Sequence, residues 1–222
     1  MKNNIIVFAA HPDDEVLGCG GTIARHASEG DIVTVVFACD GESSRENGKE
    51  KINSRYKSAA AVSKILGCNE PIFLNFKDNR LDDYNLLDIV KKIEEIINKI
   101  KPSIVYTHSK NDLNIDHQLI FKSVLTACRP LPGSTVQSIF SFEIPSSTEW
   151  NISEDTFIPQ RYVNITKFVE KKTKALKMYD SEMRNFPHPR SYKVIEAIQN
   201  FRGATSGFNA AEAFAIIREI QK

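Results

Sequence analysis

Strand-like and helix-like stretches alternate four times within the first 128 or so residues, and that rhythm constrains the fold more than any other feature. Ile5-Ile6-Val7-Phe8 is a continuous apolar run of the kind found in a strand buried on both faces. Residues 15–29 carry a helical pattern, and Gly30 suits the residue just past a helix end. Residues 32–39 (IVTVVFAC) read as a second buried strand. Residues 40–51 read as a polar loop, 54–66 as a helix stopped by Gly67, and 71–74 as a third strand. Leu86, Leu87, Ile89, Val90, Ile93, Ile96, Ile97 and Ile100 form the i, i+3, i+4, i+7 stripe of an amphipathic helix ended by Pro102. Residues 103–107 then read as a strand and 116–128 as a helix. This order predicts an α/β fold: a Rossmann-like three-layer α/β/α sandwich with a mostly parallel sheet and right-handed crossovers.

After Pro130 and Pro132 the rhythm changes. Residues 138–144 and 161–165 look like strands, 167–179 and 192–201 like helices, and 210–220 fit helix or strand equally. The cluster Lys171, Lys172, Lys174 and Lys177 reads as the solvated face of a helix. With no repeat, low-complexity tract or long linker, residues 1–222 are expected to form a single domain.

Composition removes several classes. Hydrophobic residues make up 41% and charged residues 26%, which excludes a disordered tail, a collagen and a disulfide miniprotein. The 29 basic and 28 acidic residues leave a net charge of +1, which argues against nucleic acid as partner. Cys19, Cys39, Cys68 and Cys128 contain no CxxC pair and are expected to be reduced thiols of a cytoplasmic protein. The apolar run near the N-terminus is far shorter than the ~20 residues that span a bilayer, so no stable membrane insertion is expected.

In a parallel sheet of this type ligands sit at the carboxyl ends of the strands. The first strand ends in Ala10-His11-Pro12-Asp13-Asp14-Glu15, the second in Asp40-Gly41-Glu42, and the fourth in His108 followed by Asp112, Asn114, Asp116 and His117. Gly18, Gly20 and Gly21 invite a dinucleotide reading, with Asp40 where a ribose-binding acid would stand. Against it, Asp13, Asp14 and Glu15 set like charges where a pyrophosphate would bind, and position 23 is Ile rather than the third glycine. Acids and a histidine at a helix start suit a cation instead. His11 and Asp14, three residues apart across a strand-to-helix turn, can reach one point, and His117 opens the helix after strand four. Two nitrogens and one oxygen leave a fourth position for water, the plan of a catalytic zinc. Taken singly, Asp14 also suits a helix N-cap and His117 a structural histidine.

The motif Ala-His-Pro-Asp-Asp-Glu at 10–15, followed by Gly18 and Gly20-Gly21-Thr22, resembles the PIG-L-type (LmbE-like) N-acetylglucosaminyl deacetylases. Asn-Ile-Asp-His at 114–117 is similar to that family's His-Pro-Asp-His. Weaker echoes are Asp40-Gly41-Glu42, Arg55, Asp78 and Ala211-Glu212-Ala213-Phe214. The resemblance implies zinc held by His11, Asp14 and His117, with Fe(II) or Co(II) as alternatives. It implies Asp13 as general base, Asp116 as the acid beside the zinc histidine, and Arg55 and Asp78 as sugar contacts. The chain departs from the pattern at Asn114, where the family has an oxyanion-stabilising histidine, and at Ser58, where a glutamate is common. Asn114 is expected to take over as hydrogen-bond donor in catalysis, with His108 close by at the substrate as an alternative imidazole.

The expected activity is zinc-dependent removal of an acetyl group from an N-acetylated amino sugar or sugar conjugate, the partner being a small molecule. Rival readings are an amidase acting on a thiol-sugar conjugate or other N-acyl compound, and a catalytically silent metal- or sugar-binding homologue. A homo-oligomer is left open.

Overall fold

In a computed structural model the described residues are 2–44, 48–150 and 156–221. They form one sheet of seven strands: β1 (Asn4–Ala9), β2 (Ile32–Cys39), β3 (Ile72–Phe76), β4 (Ile104–His108), β5 (Ser138–Phe142), β6 (Arg161–Asn164) and β7 (Ala211–Glu219). Their order is β3-β2-β1-β4-β5-β7-β6. The first five in that order are mutually parallel, whereas β7 runs antiparallel to both β5 and β6.

Among the described residues six α-helices flank the sheet: α1 (Asp14–Ser28), α2 (Gly48–Leu66), α3 (Leu86–Ile100), α4 (Ile115–Ala127), α5 (Val169–Leu176) and α6 (Tyr192–Ala204). Side chains of β1 alternate between two cores, as a strand's period of two requires. Ile5, Val7 and Ala9 pack with α1, α2, α5 and Ile195 of α6 on one face. Ile6, Phe8 and Ala10 pack with the stripe of α3 and with α4 on the other. The structure is therefore the three-layer α/β/α sandwich, with a mostly parallel sheet.

Three local expectations change. Residues 210–220 resolve as strand β7, which pairs along both edges. The helix expected over 54–66 starts earlier, at Gly48, and the rest of the expected loop lies partly outside the described residues. The lysine cluster is not wholly solvated: Lys172 is 3% exposed, with Nζ 2.7 Å from Glu212 and 3.1 Å from the Leu17 carbonyl oxygen. Glu212 in turn accepts the N–H groups of Gly21 and Thr22, just past Cys19, where α1 leaves helical geometry. The Ala-Glu-Ala-Phe echo near the C-terminus thus pins the glycine-bearing helix. The glycines serve packing: a Cβ at Gly18 would overlap the Phe142 ring, and one at Gly21 would lie 2.8 Å from Ile165.

All four cysteines are free thiols. No described helix is long and apolar enough to cross a membrane.

Candidate active site

The chain leaves β1 toward β2 on one side and reaches β4 on the other, so the carboxyl ends of β1 and β4 meet at the point where strand order reverses. His11, Asp13 and Asp14 follow β1, and Asp112 to His117 follow β4. His11 Nδ1 and His117 Nε2 each lie 3.3 Å from Asp14 Oδ2. The three donor atoms fall within 4.8 Å of one another. Asp14 Oδ1 and His117 Nε2 are buried and have no hydrogen-bond partner. Unsatisfied buried polar atoms are rare and costly, and two imidazole nitrogens with a carboxylate are a donor set that suits zinc, Fe(II) or Co(II). The residues present therefore fit a metal ion.

A carboxylate stands behind each histidine. Asp116 Oδ2 lies 3.0 Å from His11 Nε2, and Asp116 accepts the N–H groups of Asn79 and Leu81. Asp78 Oδ1 is 3.1 Å from the same His11 nitrogen. On the other side Asp112 Oδ1 is 3.0 Å from His117 Nδ1 and accepts the Ser147 hydroxyl, while its Oδ2 accepts the Thr148 hydroxyl. Burial works to raise the Asp112 carboxyl, but His117 and the two hydroxyls outweigh it and hold it at about 2. Such outer carboxylates fix ring orientation and tautomer at metal-binding histidines.

Asp13 occupies the turn itself, at φ 139° and ψ −29°, and caps α1 through its backbone. Its Oδ2 accepts from Arg190 Nη1 at 3.1 Å. Burial pushes the Asp13 carboxyl up to about 6, with Arg190 opposing the shift and Asp14 adding to it.

A small cleft of about 90 Å³ opens beside these groups, lined by His11, Pro12, Asp13, Gly41, Arg55, Asp78, Asn79, Asn114, Glu182 and Arg190. Arg55 lies 3.0 Å from Glu42 and 2.5 Å from Glu182.

One of the expected residues, His108, is placed differently from expectation, and Asn114, which lines the cleft, has a further structural role. Asn114 is the N-cap of α4, its Oδ1 accepting from the N–H groups of Asp116 and His117 while its Nδ2 donates to Asn79. His108, expected at the substrate, has no exposed surface. Its Nε2 accepts the Ala10 N–H at 2.8 Å, and its ring stacks on His117 at 3.9 Å. Burial, with His117 beside it, drives His108 well below the usual histidine range, so it is a neutral support under the site.

Sequence reading assigned no role to Asp112, Glu15, Tyr179, Glu182 or Arg190. Asp112 was visible in the run after β4. Tyr179, Glu182 and Arg190 come from the segment where the strand–helix rhythm had broken down, and nothing local marks them.

The family model described as PIG-L: GlcNAc-PI de-N-acetylase matches residues 6–128. The uncharacterized deacetylase YaiS of Escherichia coli is 33% identical over 186 residues, covering 81% of this chain and 92% of that protein. A probable N-acetyl-alpha-D-glucosaminyl L-malate deacetylase of Bacillus cereus is 27% identical over 192 residues, covering 82% of this chain and 84% of its own. Among solved structures, the 4-carboxy-2-hydroxymuconate hydratase GalB of Pseudomonas putida shares the fold at a TM-score of 0.80, with 22% identity over 100% of this chain and 98% of that one. With the histidine- and aspartate-bearing loops inside the matched span and a deacetylase relative aligned along most of its length, this chain belongs to the PIG-L family.

Proposed function

We propose that the chain is a metal-dependent N-deacetylase that hydrolyses the acetamide of an N-acetylglucosamine-type sugar or sugar conjugate to acetate and the free amine. The observation that carries this reading is the convergence of His11 Nδ1, Asp14 Oδ2 and His117 Nε2 beside the buried carboxylate of Asp13. Two relatives that align with most of the chain are deacetylases, one of them for an N-acetylglucosaminyl malate, while another that aligns with most of it is a hydratase. The fold is also that of a hydratase, so the choice of reaction rests on those relatives and on the site.

His11, Asp14 and His117 would hold the metal, zinc being the expected ion. When bound, it would polarise the amide carbonyl and make water a better nucleophile. Asp13 takes the proton from the attacking water and returns it to the departing nitrogen, which needs a carboxylate that is near the metal ligands but not one of them. Asp116 and Asp112 orient the two histidines. Arg55 and Asp78 line the cleft and are assigned to the sugar hydroxyls. The nearly all-polar lining matches a sugar better than an apolar ligand. An intact Asp13 favours an active enzyme over a silent binding protein.

Acetate release from a panel of N-acetyl sugars, including thiol-sugar conjugates, tests the reading with zinc-loaded protein. Release that chelator abolishes and added metal restores is the expected result. Full turnover in metal-free protein, or no release from any N-acetyl sugar, overturns it.

A further inference from the structure

Hydrolysis of an amide builds negative charge on the carbonyl oxygen, and a donor aimed at it is typically worth roughly 10²–10³-fold in kcat. The family pattern has a histidine for this where the chain has Asn114. Asn114 caps α4 with its Oδ1 on two backbone amides, and its Nδ2 donates to Asn79. His108 is sealed beneath His117 and uses its Nε2 on Ala10. The cleft offers two guanidinium groups. Arg55 is 5% exposed and its Nη2 sits between the carboxylates of Glu42 and Glu182. Arg190 has a side chain 22% exposed. Its Nε donates to Ser146 Oγ at 2.8 Å and its Nη1 to Asp13 Oδ2 at 3.1 Å, which holds the guanidinium on the cleft wall against the general base.

We propose that Arg190 is a catalytic residue that donates to the acyl oxygen of the substrate and afterwards to the carboxylate of the acetate formed. This rests on the deacetylase reading above. Water attacks the amide carbon, its oxygen bonds to that carbon, and its proton passes to Asp13. The C=O electron pair moves onto oxygen, where Arg190 meets it. The pair then returns, the C–N bond breaks, the nitrogen leaves with the proton from Asp13, and the acid's remaining O–H proton ends on the freed amine, which leaves acetate and an ammonium group. A planar guanidinium suits the planar carboxylate product, since its N–H fork matches two oxygens.

The simpler role, in which Arg190 only holds Asp13, is separable because acetate binding can be measured in zinc-loaded protein without any substrate. Sodium acetate is titrated calorimetrically into wild type, Arg190→Met, Asp13→Asn and the double variant, with metal content determined for each. Arg190→Met is expected to weaken acetate at least 10-fold with zinc retained. The same loss is expected when Arg190→Met is made in the Asp13→Asn background, where there is no charged base left to hold, and Arg190→Lys should recover part of it. On whichever sugar the panel identifies, kcat should fall roughly 10²–10³-fold in Arg190→Met with KM little changed, and added guanidinium ion should restore some of the rate. No effect on acetate in the Asp13→Asn background overturns the proposal, as does a rise in KM with kcat intact. If no sugar releases acetate yet Arg190→Met still weakens acetate, the reaction assigned above fails and Arg190 remains the acyl-site anion donor.

Discussion

The backbone N–H of Asp13 donates to Glu15 Oε2 at 3.0 Å while Asp13 sits at φ 139°. That backbone region is sterically poor for any residue with a Cβ and costs of order 1–3 kcal/mol, so it persists only where the surroundings enforce it. Here they do so from the far end of the chain. Tyr179 donates its hydroxyl to the other oxygen of Glu15 at 2.7 Å, and Arg190 grips the Asp13 side chain.

Glu15 should therefore leave a mark on stability. Burial pushes its carboxyl up to about 8 although the Tyr179 hydroxyl pulls the other way. Between its ordinary value of 4.5 and about 8 the folded state binds the proton that the unfolded chain has released. The contribution is full below that window and is lost as pH rises through it. Glu15→Gln should flatten the fall in urea midpoint across the same range, and Tyr179→Phe should cost about 1–3 kcal/mol by removing a donor from a buried acceptor. A urea midpoint for Glu15→Gln that falls with pH as steeply as in wild type would refute the assignment.

The adjacent carboxylates Asp13 and Asp14 should separate cleanly on mutation. Asp14→Ala removes one of three donors and should lose most bound metal and all activity. Asp13→Asn should keep the metal and lose roughly 10²–10⁴-fold in kcat. Metal analysis of the two purified variants decides it, and an emptied Asp13→Asn with a metallated Asp14→Ala would reverse the roles.

Activity should also carry an acid limb set by Asp13. A general base works deprotonated, so kcat/KM rises with pH through its pKa. Burial, with Asp14 adding to it and Arg190 opposing it, takes that carboxyl up to about 6, and a cation bound at the neighbouring ligands would pull it down, so the limb is expected at or below about pH 6. Losing the guanidinium beside it should move the limb upward, which the pH profile of Arg190→Lys against Arg190→Met will show.

Much of this was legible before any coordinates. The strands of a buried parallel sheet are written as continuous apolar runs, and α3 as a clean stripe, so the first 128 residues announce their order. The candidate metal donors were legible because they follow strand ends in sequence and the topology must bring those ends together. Tyr179, Glu182 and Arg190 were not, because their segment is a series of 3-10 turns and loop without a period to read, and they join the site only through tertiary packing. Lys172 was misread for a related reason. Its partner Glu212 is 40 residues away on a strand that could have been a helix.

The glycines after the first motif make a test that does not depend on activity. A methyl at Gly18 meets the Phe142 ring, and one at Gly21 meets Ile165 at 2.8 Å. Gly18→Ala should therefore destabilise the fold by about 1–3 kcal/mol through overpacking. Any loss of metal should follow unfolding and not precede it. Unchanged thermal stability would mean that the glycine is there for a ligand after all.

Asn114 brings the second motif into a form that can be decided by substitution. Its side chain accepts from the amides of Asp116 and His117, the residues behind and on the metal site, and donates to Asn79 across the cleft mouth. Asn114→Ala should cost about 1 kcal/mol as a lost N-cap and loosen His117, lowering metal affinity along with kcat. Asn114→Asp keeps the capping oxygen and should restore stability and metal. It exchanges the amide donor for a negative charge, so any rate it fails to recover measures what the Asn114 N–H contributes to the substrate. If Asn114→Asp is fully active, Asn114 only caps, and the charge on the acyl oxygen is met by the metal and Arg190. If Asn114→Asp binds metal normally but stays as slow as Asn114→Ala, the amide itself touches the reacting group, as its place in the family motif suggests.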